Sequence, residues 1–314
     1  MRGSELRRHH WDQLPEPLRR TVQQQCGEEV AKAERPSAGR QSAFSATLYL
    51  ASGRRVFCKG APTEHASMHR TEARVSHWLP AQAPRLLWQV EQDGWLLLGF
   101  EHVAGPYANL APGSPDLPLI AQTLSAVSST LTPCPEAAAL PGLDEKMRRM
   151  SPWRRLRDDP PQALHPWARA RLDRFATDEP SAIEQITGDT LQHTDVHELN
   201  VLVDGSARLV DCAWAHTAQP WVDAAYLVPR LIQAGHNPAQ AQRWAGTTAG
   251  WAGISPDDLT AFAIEIYGMW EFLRHARPGP QRDGPTHAAA QWAQFRIDGT
   301  EPTTPDPGKQ GTND

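Results

Sequence analysis

The 314-residue sequence predicts an α+β protein of two lobes: a small β-rich N-terminal lobe to about residue 102 and a larger helical lobe over 103–298. Three observations predict it. Between residues 46 and 100, short runs rich in apolar and β-branched residues are separated by turn residues. From Leu117 onward, apolar residues recur at helical spacing. Between these regions, Trp95-Leu96-Leu97-Leu98-Gly99-Phe100 reads as a buried strand that runs into Gly105-Pro106, as a hinge would. The length is comfortable for two lobes and too great for one typical small domain.

Composition narrows the class. Hydrophobic residues are 40% and charged residues 21%, an ordinary globular balance. A net charge of −5 gives no basis for nonspecific nucleic-acid binding. Cys26, Cys58, Cys134 and Cys212 are far apart, which argues against a zinc site or disulfide framework and fits a reducing cytoplasm. The first ten residues are charged and unlike a secretory signal, and no apolar run is long enough for a membrane span. Residues 299–314 are rich in Pro, Thr and Gly and are expected to form a disordered tail.

In the first lobe, Leu14 to Val30 reads as a helix with Pro15 and Pro17 at its start. Residues 35–45 form a small-residue loop, whose backbone N–H groups and hydroxyls, Ser42 among them, can approach phosphates. The loop is not a Walker A and has no G-x-G-x-x-G, so taken alone it reads as an ordinary turn. Ala46–Leu50 and Arg55–Lys59 form a hairpin that ends in Lys59. Glu64 to Leu79 is helical in pattern, with Met68, Glu72, Val75 and Leu79 on one face. Glu72 thus falls in an apolar stripe. Either it is buried and needs a cation, for which Lys59 is the natural candidate, or it lies at the stripe's edge and reaches water. Residues 84–90 and 94–100 read as two further strands. The segment after them can serve as a plain edge connection, or offer backbone groups of Glu101 and Val103 to an adenine.

In the second lobe, Leu117, Ile120, Leu124, Val127 and Leu131 give a core-facing helical stripe. Residues 146–157 are strongly basic and read as a solvated face or as an anion-contacting edge of a cleft. Trp167 to Phe175 reads as a helix. Ser255-Pro256-Asp257-Asp258 is a helix start, and that helix runs to about Ala276. Its Glu265 and Glu271 are expected to be exposed, with an acceptor pocket as the alternative.

The chemistry concentrates in Leu191 to Asp223. His193-Thr194-Asp195 fits H-x-D, and Asn200 follows Asp195 by the five positions of a kinase catalytic loop. Val201–Val203 and Ala207–Val210 flank Asp204-Gly205-Ser206, so a β-hairpin is expected. With Gly205 and Ser206 as a two-residue loop, Asn200 would lie opposite Asp211. An amide and a carboxylate brought together there suit Mg²⁺, which takes one or two carboxylates plus phosphate oxygens. Asp195 could then accept the proton of an attacking hydroxyl. His193 reads as structural, and His197 as either a substrate contact or a loop-shaping residue. Asp223 begins a helix that it can cap, or it can accept hydrogen bonds from the catalytic loop.

With these residues in view, the chain resembles the aminoglycoside phosphotransferase (kinase-like) family, which also includes choline, homoserine and macrolide kinases. The resemblance is carried by residues 191–223 and, more loosely, by residues 37–105. It implies a bilobal protein-kinase-like fold and transfer of the γ-phosphoryl of ATP, with Mg²⁺, to a hydroxyl of a small molecule. It also implies Asp195 as catalytic base or hydroxyl-orienting acid, Asn200 and Asp211 as Mg²⁺ ligands, and Lys59, oriented by Glu72, on the α/β phosphates. An aminoglycoside or related antibiotic as acceptor follows from the family alone. A housekeeping metabolite kinase and a non-catalytic pseudokinase module are the alternatives. Thr194 stands where the family usually has glycine, and Cys212-Ala213 follows Asp211 in place of Phe-Gly. Eleven residues between Asp211 and Asp223 are too few for a protein kinase's activation segment, which favours a small acceptor.

Overall fold

The computed structural model describes residues 8–36 and 42–299. It is an α+β fold with a five-stranded sheet followed by a helical region. Helix α1 (Glu16–Cys26) buries Leu18, Val22 and Cys26 and ends where Gly27 turns left-handed at φ 72°. The expected helix to Val30 is therefore shorter, and β1 (Val30–Glu34) takes the residues beyond it. Strands β2 (Phe44–Leu50) and β3 (Arg55–Pro62) form the expected hairpin. Helix α2 (Ser67–Val75) is shorter than its pattern suggested, and a 3₁₀ turn over Thr63–His65 precedes it. Strands β4 (Leu86–Gln92) and β5 (Trp95–Glu101) complete an antiparallel sheet of order β1-β2-β3-β5-β4. Strand β2 alternates buried and half-buried residues, whereas β5 is buried along nearly its whole length. Helix α1 covers one face with Leu18 and Val22, joined by Leu14 just before it, and α2 packs with Leu96, Leu98 and Phe100 of β5.

The helical region holds α3 (Asp116–Thr130), α4 (Leu143–Met150), α5 (Pro152–Asp158), α6 (Pro166–Arg169) and α7 (Leu172–Glu184). The single helix expected over 167–175 is thus two helices, and the second continues past it. Short strands β6 (Thr190–Gln192), β7 (Val201–Val203), β8 (Ala207–Leu209) and β9 (His216–Ala218) carry the motif segment. Helices α8 (Val222–Gln233), α9 (Pro238–Ala245), α10 (Pro256–Ala276) and α11 (Pro280–Asp298) follow. Ser255 caps α10 as expected, accepting the N–H of Asp258 at 3.0 Å. Trp153 is the hub of this core. It lies 4.8 Å from the Phe175 ring and 5.3 Å from Tyr267.

Glu265 and Glu271 depart from expectation. Both are buried, at 1% and 2% exposure, and neither lines the large cleft described below. Glu271 pairs with Arg274 one turn on. Both oxygens of Glu265 are buried without a hydrogen-bond partner, and burial pushes its carboxyl well above the usual range.

The connection between sheet and helices is stitched to the motif hairpin. Gly105 has φ 101°, and a Cβ there would lie 2.2 Å from the Val203 carbonyl, so only glycine permits this approach. Next to it, Val203 N–H donates to Pro106 O at 3.0 Å and Ala108 N–H donates to Val201 O at 2.9 Å.

Candidate active site

Lys59 sits near the middle of β3, with its side chain only 7% exposed. Burial disfavours its charge, so it requires carboxylates. Glu72, one strand-to-helix connection later, places Oε2 2.7 Å from Nζ. Asp211, 152 positions along the chain, accepts a hydrogen bond from the same ammonium at 2.8 Å. Together these carboxylates outweigh the desolvation of Lys59 and raise its pKa above the ordinary lysine range. Glu72 responds the other way. Its burial outweighs the pull of Lys59 and lifts it to about 7. Burial also acts on Asp211, but Lys59 prevails and holds that carboxyl below its usual value. The alternative in which Glu72 reaches water is excluded, since it is 3% exposed.

The motif hairpin forms, but its register differs by one residue from that expected. Val201 pairs with Leu209 and Val203 with Ala207, leaving a three-residue loop with Gly205 at φ 67°. Asn200 therefore lies opposite Val210, whose N–H donates to Asn200 O at 3.0 Å. A one-residue slip in a strand moves side chains to the other face. Asp211 leaves the strand, adopts a left-handed φ of 66°, and lines the same cleft as Asn200.

The catalytic-type loop is held by Asp223 at the start of α8. Its two oxygens accept the N–H groups of His193 and Thr194, each at 2.8 Å, and it is 4% exposed. Thr194 has φ 55°, an unusual value for a β-branched residue. Its hydroxyl compensates by donating to Trp214 O at 2.5 Å, with His216 Nδ1 3.1 Å away. His193 is structural, as expected. Its Nε2 donates to Val210 O at 2.9 Å, and its Nδ1 lies 3.3 Å from the Asp195 backbone nitrogen. Asp195 presents its carboxylate to the cleft with His197 Nε2 4.0 Å away. Burial raises the Asp195 carboxyl, opposed by His197 and His193. His197 also shapes the loop, accepting the Leu199 N–H at 3.2 Å. Asn200 donates through Nδ2 to Asp195 O at 2.9 Å, which leaves its amide oxygen for another partner.

Lys59, Glu72, Asp195, Asn200 and Asp211 all line one cleft of about 1030 Å³. Ser42, Glu101 and Val103 line it too. Most of the small-residue loop, residues 37–41, lies outside the described residues, as do residues 300–314 of the expected tail. Ser42 is 3.0 Å from His69 Nε2. The Glu101 N–H is already bonded to Arg85 O at 2.9 Å, and its carboxylate meets Arg208 at 3.3 Å. Sequence reasoning missed His69, Arg208 and the Thr194 hydroxyl. His69 stands three residues before Glu72 on the same helix, a spacing that places both on one face, and that signal was available.

No family model matches the chain, and no curated protein matches it. Solved structures do. An aminoglycoside phosphotransferase from Alicyclobacillus acidocaldarius aligns over 90% of this chain and 93% of its own, with 16% identity and a TM-score of 0.55. A spectinomycin phosphotransferase, solved with ADP and spectinomycin, aligns over 89% of this chain and 93% of its own, with 12% identity and a TM-score of 0.55. An aminoglycoside phosphotransferase from Streptomyces rimosus, solved with ADP and streptomycin, aligns over 80% of this chain and 98% of its own, with 17% identity and a TM-score of 0.54. The chain has the bilobal protein-kinase-like fold of the aminoglycoside phosphotransferases.

Proposed function

We propose that the protein transfers the γ-phosphoryl group of ATP to a hydroxyl of a small molecule. One observation carries this reading: Lys59 is clasped by Glu72 from one side and Asp211 from the other, in a cleft that Asp195 also lines. A buried lysine held by two carboxylates is aimed at a fixed point, and in phosphoryl transfer that point is the nucleotide phosphate. The roles follow by chemistry. Lys59 would contact nucleotide phosphates, and Ser42 would add a hydroxyl at the same end. Glu101 and Val103 would face the base, Glu101 through its carbonyl because its N–H is spent on Arg85. Asp195 would orient the acceptor hydroxyl and take its proton. Most of the catalysis would come from positioning, because phosphoryl transfer leaves little covalent work to the protein.

The residues present fit a divalent cation. Asn200 keeps its amide oxygen free by donating through Nδ2, and Asp211 uses only Oδ1 on Lys59. Among the described residues no three His, Cys, Asp or Glu side chains cluster as a metal cage. One amide and one carboxylate, completed by phosphate oxygens and water, match the way Mg²⁺ is usually held. When bound, Mg²⁺ would neutralise phosphate charge. Among the described residues, no helix is long and apolar enough to cross a membrane.

The test is ADP release, with mass detection of phosphorylated product, across a panel of hydroxylated compounds. A positioned base contributes on the order of 10²–10⁴-fold, so D195N should lower kcat by that factor. Nucleotide binding with no phosphorylated product from any acceptor would assign the cleft to a non-catalytic module.

A further inference from the structure

We propose that His197 is a second catalytic residue, whose Nε2–H holds the acceptor's reacting oxygen beside the Asp195 carboxylate. The inference rests on the phosphotransfer reading above and adds a contact to it.

His197 uses its two ring nitrogens differently. Nδ1 accepts the Leu199 N–H at 3.2 Å, at the start of the 3₁₀ turn over Glu198–Asn200. That bond needs the lone pair on Nδ1, so in the neutral ring the proton is on Nε2. Burial lowers the ring below its ordinary value, which keeps it neutral at pH 7. His197 and Asp195 both line the cleft, and Nε2 faces Oδ2 of that carboxylate across 4.0 Å. Among the described residues Nε2 makes no hydrogen bond, so its proton is free for a ligand.

The Asp195 side of the pair is held as well. Asn200 Nδ2 donates to the Asp195 carbonyl at 2.9 Å and lies 3.4 Å from Oδ2. The loop's own bonds thus set the separation of the two groups. A span of 4.0 Å is too long for a hydrogen bond and short enough for one oxygen to bridge. An oxygen about 2.8 Å from each group meets both at an angle of about 90°.

A hydroxyl oxygen has the four directions this arrangement asks for: a bond to carbon, a proton and two lone pairs. The proton points to Asp195, one lone pair accepts from His197, and the other faces the γ-phosphorus. In the reaction that last pair bonds the phosphorus as the bond from phosphorus to the β,γ-bridging oxygen breaks. The electron pair of the broken bond leaves with ADP, and the hydroxyl proton passes to Asp195. His197 keeps its Nε2 proton throughout and stabilises the charge that the oxygen gains as its own proton departs. Loop shaping alone does not account for a histidine here, since asparagine is a preferred cap and supplies the same acceptor.

Two variants separate the roles, because each keeps the work of one nitrogen. In H197N the amide oxygen takes the place of Nδ1, and Nε2–H is lost. In H197Q the amide N–H reaches the place of Nε2, and the loop cap is lost. ADP release and phosphorylated product are measured with Mg·ATP and with glycerol, ribose, choline and streptomycin as acceptors. With an acceptor that the wild type phosphorylates, H197N should lose at least tenfold in kcat while its KM for ATP and its Tm stay unchanged. H197Q should retain more kcat than H197N despite a lower Tm. The reverse order, with H197N equal to wild type and H197Q below it, would leave His197 as a loop-shaping residue and overturn the proposal. So would an H197N loss expressed wholly in the KM for ATP. Nitrogen NMR of the imidazole gives a readout independent of turnover. The neutral ring should carry its proton on Nε2, and a ring protonated on Nδ1 would overturn the proposal too. Mg·ADP binding without product from any acceptor would defeat the phosphotransfer reading itself, and the proposal with it.

Discussion

Glu72 is the residue on which the nucleotide side depends. Its carboxyl, raised to about 7 by burial against the pull of Lys59, changes charge near neutrality. Above that pH it is ionised and holds the ammonium, and below it the clasp loses one of its two carboxylates. Affinity for Mg·ATP should therefore weaken as pH falls from 8 to 6. In E72Q the affinity should be lower throughout and the pH dependence flattened, as read by calorimetric titration. His69 gives a stability prediction of definite sign. Burial, with Lys59 nearby, lowers it from 6.5 to about 4. A histidine depressed in the folded state contributes stability above its unfolded pKa, and loses it as pH drops towards the folded value. Between pH 7 and 5 this one group should cost about 2 kcal/mol. Urea unfolding at the two pH values should show that loss, and H69Q should remove roughly 2 kcal/mol of the difference.

At the scale of elements, the catalytic loop is held by α8. Replacing Asp223 with alanine strands two buried N–H donors, those of His193 and Thr194. The expected cost is roughly 3 kcal/mol or more by urea unfolding. At Thr194 two effects oppose. The left-handed backbone costs about 1–2 kcal/mol, and the hydroxyl bond to Trp214 returns about 1 kcal/mol. T194A keeps the strain and loses the bond, so it should destabilise by about 1 kcal/mol, whereas T194G relieves the strain and should lie close to wild type. The hairpin was legible because Val201–Val203 and Ala207–Leu209 flank turn residues. Its register was not, because a two-residue and a three-residue loop both suit Asp204-Gly205-Ser206. The Lys59–Glu72 pair was legible because a carboxylate in an apolar stripe demands a cation. Helix α11 was not read from the sequence, since Pro278-Gly279-Pro280 marks only the end of the helix before it, whereas Pro280 begins α11 and Pro285 is accommodated within it. The burial of Glu265 and Glu271 depends on tertiary packing around Trp153, which no local pattern announces.

In the whole molecule, the sheet and the helical region meet at Arg208. From the motif hairpin it reaches the Ala83 carbonyl at 3.1 Å and the Glu101 carboxylate at 3.3 Å, while Leu209 N–H donates to Gln82 O at 2.8 Å. These contacts tie the segment before β4 to the hairpin that carries Asp211. R208M should leave global stability within about 1 kcal/mol, since the ion pair is partly exposed. It should increase amide exchange at residues 82–85 and 207–209. Protection unchanged at both segments would remove Arg208 as the tie. The most direct measurement of the central claim is calorimetric titration of Mg·ATP into wild-type protein, K59M and D211N. Saturable binding to wild type, weakened at least tenfold in each variant and dependent on Mg²⁺, is the predicted result. Binding of equal strength in all three proteins, or no binding to wild type, would contradict it.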